Sequence, residues 1–317
     1  MVKNILITGG LGYVGGRLAV HLNQLPNHQV TVTSRKKIKS PFDGVQIINP
    51  DYQKEDYNTY LDGIDTVVHL AALNEIDCVR FPYQAIDVNV SQTLKWLKAA
   101  ENSGVKQFIY FSTVHVYGSP LTGTIDESRL PRPTHPYSIT HKAAEDYVLA
   151  SRDKSDLNAL VLRLSNSFGA PTLPDVNRWT LLVNDLCKQV VQTGVLKLRS
   201  SGTQLRDFIT LTDVCRAVEH LLKLNNEKTR DGLFNLSGES TLSIFEMTQR
   251  IANRAQAVLD IEPEIQRPAP AITETAGQLF CSSQKLQQTG FHLSRQIEQE
   301  LDDMLRFCQH HFATSHD

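Results

Sequence analysis

The stretch Ile5-Leu6-Ile7-Thr8-Gly9-Gly10-Leu11-Gly12-Tyr13-Val14-Gly15 decides the fold. The apolar run from Val2 to Ile7 predicts a strand buried on both faces, as in a parallel sheet. A glycine turn ends it, and Leu18, Leu22 and Leu25 then recur at helical spacing. Strand, glycine turn and helix form the context in which a glycine fingerprint points to a dinucleotide. Gly9 permits the tight turn, Gly12 leaves room for a pyrophosphate, and Gly15 lets the helix pack close to the strand. The first turn of the helix presents free N–H groups and the positive end of its dipole. Gly9, Gly12, Tyr13, Val14 and Gly15 are therefore the candidate phosphate cradle. The spacing is G-x-x-G-x-x-G, not G-x-G-x-x-G; a purely structural turn is the alternative.

Outward from this unit, Gln29 to Thr33 predicts a second strand, ending in Ser34-Arg35-Lys36-Lys37. NAD-binding folds usually carry a carboxylate there for the ribose hydroxyls. Here Ser34 and Arg35 stand in its place, and a guanidinium fork matches a 2′-phosphate. The pattern favours NADP(H), with NAD(H) possible; the alternative is a solvated basic loop. Val45 to Ile48 predicts a third strand, with Asp51 beyond it placed to reach the adenine. Asp65 to Ala72 predicts a fourth, whose end at Leu70, Ala71 and Ala72 lets a cofactor lie across it. His69 is expected to bond locally.

Pro82 to Ser103 predicts one long helix, begun by proline and stopped by Gly104. Ile86, Val90, Leu94 and Leu97 would share a face, with Asn89 among them as a kink or a ligand contact. Lys106 to Phe111 predicts a strand ending in Ser112-Thr113, hydroxyls at the edge where open α/β sheets bind ligands. A helix from Tyr137 to about Arg152 and a strand from Asn158 to Leu164 follow. The alternation predicts an α/β fold, a doubly wound parallel Rossmann sheet with a smaller C-terminal substrate lobe. The expected division is 1–165 plus about 207–235 for the dinucleotide-binding domain, and 166–206 with 236–317 for the substrate lobe.

The bulk composition narrows the classes. With 317 residues there is ample core for such a fold. A net charge of −2 provides no basic field for nucleic acid, so an anionic ligand must be held by locally placed arginines. The five cysteines are scattered without a C-x-x-C pair, which favours free thiols in a reducing, cytoplasmic compartment over a disulfide framework or a metal site. No apolar run reaches membrane-spanning length and the sequence opens on a strand, so neither a membrane span nor a signal peptide is expected.

Taken together, Thr8 to Gly15, His69-Leu70-Ala71-Ala72, Asn89, Ser112-Thr113 with Val116-Tyr117-Gly118, Pro136-Tyr137, Arg163 with Asn166 and Phe168-Gly169, and Arg206-Asp207-Phe208 with Asp213 resemble the extended short-chain dehydrogenase/reductases of the nucleotide-sugar epimerase/dehydratase class. The resemblance covers nearly the whole chain. It implies a nucleotide-sugar substrate, a homodimer built on helices near 82–103 and 137–152, and a short segment near Asp207 to Leu224 that returns to the first lobe. It implies Tyr137 as acid/base, Thr113 as the orienting hydroxyl, and cofactor contacts from Asn89 and from the residue four after the tyrosine. It further implies Asn166 and Arg206 at the diphosphate, and Arg267 as a second clamp despite Arg-Pro-Ala-Pro in place of Arg-Pro-Gly-Asp. Leu198 and Gln204 would line the base pocket.

Two departures matter. Four residues after Tyr137 the class has lysine; here it is His141, and Lys142 lies about 100° further round the helix. A fixed cation favours a phenolate. A neutral imidazole supplies less of this, though it can hydrogen-bond a ribose; a protonated one would act like the lysine, and its titration would then set the pH profile. The alternative is a protein that binds cofactor but turns over poorly or not at all. The second departure is Val114-His115 where 4,6-dehydratases of the class carry Asp-Glu, which points away from elimination. Epimerisation or keto-sugar reduction remains, with a reductase of a non-nucleotide ketone as a further option.

Overall fold

The computed structural model describes residues 2–271, 274 and 277–313. Strands β1 (Lys3–Thr8), β2 (His28–Thr33), β3 (Gln46–Ile48) and β4 (Thr66–His69) open the chain, with helix α1 (Tyr13–Asn23) after the glycine turn. Helices α2 (Glu75–Arg80), α3 (Pro82–Ile86) and α4 (Gln92–Asn102) lead to β5 (Gln107–Thr113) and β6 (Gly123–Ile125). Helix α5 (Pro136–Lys154), with Pro136 in its first turn, leads to β7 (Asn158–Leu164). The remainder comprises β8 (Asn166–Phe168), α6 (Leu182–Thr193), β9 (Val195–Lys197), β10 (Leu205–Thr210), α7 (Leu211–Leu221), β11 (Leu233–Leu236), β12 (Thr241–Ser243), α8 (Ile244–Leu259), β13 (Glu264–Gln266), β14 (Leu279–Cys281), α9 (Gln284–Gln287) and α10 (Ile297–Phe312).

Seven strands form one parallel sheet in the order β3-β2-β1-β4-β5-β7-β11. The chain reverses its direction of travel between β1 and β4, and such a switch point opens a crevice at the carboxyl ends of the strands. The apolar run of β1 divides as a doubly covered strand must. Ile5 and Ile7 join a core shared with α1 and α7, and Leu6 joins the opposite core with Trp96, Leu97 and Val148. The same alternation holds in β5, where Ile109 faces one layer and Phe108 and Tyr110 the other. Strand β11 adds to the far edge of this sheet, and α7 packs on α1.

A second core gathers α6, α8 and α10 around Phe168, Phe208 and Met304. Strand β10 pairs with β8 and β12, and β9 with β13. Two ties join this part to the glycine turn. The Tyr13 hydroxyl lies 2.8 Å from the Gly169 carbonyl and 3.0 Å from Asn184 Oδ1, and Arg17 donates to the Ala170 carbonyl. All five cysteines are buried thiols. Among the described residues no helix is long and apolar enough to cross a membrane.

The single helix expected over 82–103 is interrupted. Residues Asp87–Ser91 form one π-helical turn between α3 and α4. The extra residue shifts the helical phase, so apolar positions before and after the turn no longer share a face. Ile86 is consequently exposed while Leu97 is buried.

Candidate active site

The glycine turn folds as its sequence requires. Gly9 has φ +70°, and a Cβ there would lie 3.0 Å from the Leu70 and Ala71 backbone. A Cβ on Gly15 would stand 2.2 Å from the Gly9 carbonyl oxygen, so only glycine allows this approach of helix to turn. Gly12 caps α1 with no side-chain hydrogen bond, which leaves the first-turn N–H groups free for phosphate. Gly9, Gly12, Val14 and Gly15 border a cleft of about 710 Å³, together with Leu70, Ala71 and Ala72. The Tyr13 phenol is turned into the protein, so its share of the cradle is backbone. Beyond the end of β2 the cleft is bordered by Thr33, Ser34, Arg35, Lys36, Tyr52 and Gln53, with no carboxylate among them. The Ser34 hydroxyl is spent on the Lys36 backbone, which leaves Arg35 and Lys36 as the exposed donors there.

Further along the same cleft lie Thr113, Tyr137 and His141. Thr113 ends β5, and its Oγ1 accepts from the His115 N–H at 3.2 Å, which leaves its own proton to donate. Tyr137 stands in the first turn of α5, where the His135 side chain caps its N–H. One turn on, the His141 ring meets the Tyr137 ring edge-on, with centroids 4.4 Å apart. His141 is 3% exposed; its Nδ1 is 2.7 Å from the Tyr110 hydroxyl, and its Nε2 is buried with no partner. Burial drives its pKa down to about 4, so the imidazole is neutral at physiological pH. With no carboxylate bonded to the ring, desolvation opposes the protonation that a lysine-like role would need. Lys142 pairs with Asp146 and does not line the cleft. Burial and the Glu75 carboxylate hold the Tyr137 phenol well above its ordinary range, and Arg178 opposes them.

The facing wall carries Asn166, Arg206 and Arg178. Asn166 donates from Nδ2 to the Asp207 carbonyl at 2.9 Å. The Asp207 carboxylate accepts from Ser165, Gly238 and Ser240, which fixes β10 where it presents Arg206. Among the described residues no ion pair or hydrogen bond engages the half-buried Arg206 guanidinium. Sequence reasoning missed Glu75 and Arg178, which pair at 2.7 Å across 103 positions and both line the cleft. It also missed His115, which borders the cleft with its side chain exposed. Nothing local in the sequence marks a pair so distant.

Five expected site residues are not among those lining the cleft. Asp51 is exposed and caps its own turn, accepting from the Gln53 N–H, while Tyr52 and Gln53 take the lining position. Asn89 points inward from the π turn: Oδ1 accepts from the Leu73 N–H at 2.8 Å, and Nδ2 donates to Thr140. From the π turn it holds the loop after β4. Arg267 stacks on the Phe245 ring at 3.3 Å and donates to the Ser201 carbonyl, which draws it off the cleft. Leu198 is buried in the second core, and neither it nor Gln204 lines the cleft. His69 bonds locally as expected, with Nδ1 at Thr8 and Nε2 at Thr93.

The cleft thus joins a glycine cradle at a switch point to a threonine, a tyrosine and an imidazole. The NAD dependent epimerase/dehydratase family model matches residues 5–237. The chain belongs to this family. Within it, the chain is 27% identical over 269 residues to dTDP-D-glucose 4,6-dehydratase of Homo sapiens, covering 78% of this chain and 73% of that protein. It is 29% identical over 277 residues to UDP-glucose 4-epimerase of Streptomyces lividans, covering 79% and 82%. The solved UDP-glucuronic acid 4-epimerase of Bacillus cereus, in complex with UDP-glucuronic acid and NAD, shares the fold with a TM-score of 0.79 at 21% identity, covering 97% of this chain and 99% of that one. The family is one of NAD-dependent enzymes acting on nucleotide sugars. The cleft fits its cofactor on two counts: a helix start with first-turn N–H groups left free, brought against the glycine turn by an approach only glycine at 15 allows, and an orphaned imidazole nitrogen on a cleft-lining residue.

Proposed function

We propose that this family member interconverts a hydroxyl and a ketone on a nucleotide-activated sugar, as a 4-epimerase or keto-sugar reductase. The observation that carries the reading is that Tyr137, Thr113 and His141 line the same cleft as the glycine turn, together with Arg206 and Asn166. When bound, the nicotinamide takes up or returns the hydride. Tyr137 exchanges the proton of the sugar oxygen, and Thr113 donates its free proton to that oxygen. Arg206 grips the diphosphate with a charge-assisted contact, Asn166 lies beside it, and His141 offers Nε2 to a ribose hydroxyl. Val114-His115 supplies no carboxyl pair for elimination, which supports these reactions over water loss.

In this reading residues 1–165 with about 207–235 hold the cofactor, and 166–206 with 236–317 hold the substrate. NADP(H) is preferred over NAD(H), supported by Arg35 and by a rim without a carboxylate. A homodimer is supported by Ile76, Val79, Phe81, Tyr83, Ile86, Ile139 and Tyr147, exposed on the mutually packed α2, α3 and α5. Replacing Tyr137 by Phe tests the chemistry: turnover of a sugar-nucleotide panel should fall by roughly 10²- to 10⁴-fold with cofactor affinity kept. Undiminished turnover would end the acid/base assignment. A second reading, cofactor binding with little turnover, draws on the neutral residue at 141. It predicts stoichiometric cofactor binding and no absorbance change with any sugar nucleotide.

A further inference from the structure

The proposed ribose contact can run either way, from an Nε2–H to the hydroxyl oxygen or from the hydroxyl to a bare Nε2, and the fold contains a group able to fix which. Tyr110, on β5, is 2% exposed, and its hydroxyl lies 2.7 Å from His141 Nδ1. Among the described residues this is the only hydrogen bond that hydroxyl makes. Burial keeps the Tyr110 phenol far above its ordinary pKa, so it holds its proton. A buried phenol with one neighbour must donate to that neighbour or leave its proton unmet. A neutral imidazole that accepts at Nδ1 carries its own proton on Nε2. That Nε2 is the buried, unpartnered atom, and the ring borders the cleft. The His69 ring also stacks on Tyr110, with centroids 6.0 Å apart, and is itself held by Thr8 and Thr93, so the phenol is packed between fixed neighbours.

We propose that Tyr110 is a positioning residue: it locks His141 as a neutral Nε2–H donor toward the cofactor ribose, replacing a charged lysine contact by an oriented uncharged one. This rests on the reading of the cleft as the pyridine-nucleotide site. It assigns work to a strand residue that touches neither cofactor nor substrate.

The test compares wild type with Tyr110→Phe, which keeps the ring and its packing. Long-range ¹H–¹⁵N spectra of ¹⁵N-histidine protein without cofactor, assigned by the signal missing in His141→Gln, should show the Nε2–H tautomer in wild type and a mixed or Nδ1–H population in Tyr110→Phe. Titration should show cofactor affinity weakened roughly threefold to tenfold in Tyr110→Phe, the worth of one oriented hydrogen bond. An Nδ1–H tautomer in wild type overturns the proposal. So does an unchanged tautomer in Tyr110→Phe, or an altered tautomer with unchanged cofactor affinity. If Tyr110→Phe fails to fold, the wild-type spectrum decides the tautomer alone. Failure of wild type to bind either nicotinamide dinucleotide would refute the reading of the cleft, a result distinct from the tautomer measured without cofactor.

Discussion

Acidification should destabilise this protein through His141 in a measurable way. An ordinary histidine titrates near 6.5, and in the folded chain burial moves His141 to about 4. Below pH 6.5 the unfolded chain takes up a proton on this imidazole while the folded chain does not. The unfolded state then binds more protons, so stability falls as pH falls through the window from 6.5 to 4. The gap of about 2.5 pH units at about 1.4 kcal/mol each gives roughly 3 kcal/mol once pH is below 4, and roughly 2 kcal/mol at pH 5. His69, pushed to about 3 by burial and by His141, acts with the same sign, so the wild-type curve contains both. The difference between wild type and His141→Gln isolates the one group. Urea denaturation followed by fluorescence of the buried Trp96 measures it at each pH. The two stability curves should converge as pH drops from 7 to 4.5, by about 2 kcal/mol or more. Parallel curves over that range would mean that the folded imidazole accepts a proton freely, and the neutral-donor account of His141 would fall with them.

Three further outcomes are expected. Arg35→Ala should weaken NADP(H) by about tenfold and leave NAD(H) nearly unchanged, read as the ratio of dissociation constants; equal loss of both would remove the 2′-phosphate role. Gly15→Ala should cost about 1–3 kcal/mol of folding stability in chemical denaturation and sharply weaken cofactor binding, because its methyl has only backbone to displace at 2.2 Å. Arg206→Ala should raise KM for a sugar nucleotide by roughly 10- to 100-fold with a smaller change in kcat; an unchanged KM would favour a substrate without a diphosphate.

Much of the frame was legible because it is written locally. The apolar run of β1, the glycine turn and the 3.6-residue spacing of α1 lie within about two dozen consecutive residues. Tyr137 and His141 are one helical turn apart, so their meeting follows from the helix that Pro136 begins. The interrupted helix was half legible: Asn89 was a conspicuous polar residue on an apolar stripe, but its inward turn depends on Thr140 and the Leu73 N–H, supplied by other elements.

The sequence by itself determined the doubly wound sheet, the glycine turn at its switch point and the identity of the residue one turn after Tyr137. Tertiary structure decided what that residue is chemically. Whether His141 is a cation or a neutral donor depends on desolvation and on Tyr110, 31 positions away on a neighbouring strand. The same holds for Glu75 meeting Arg178, and for Arg267 leaving the cleft for Phe245 and Ser201. Charge state and side-chain direction are set by what surrounds a group in space, whereas strand and helix are set by what precedes and follows it along the chain.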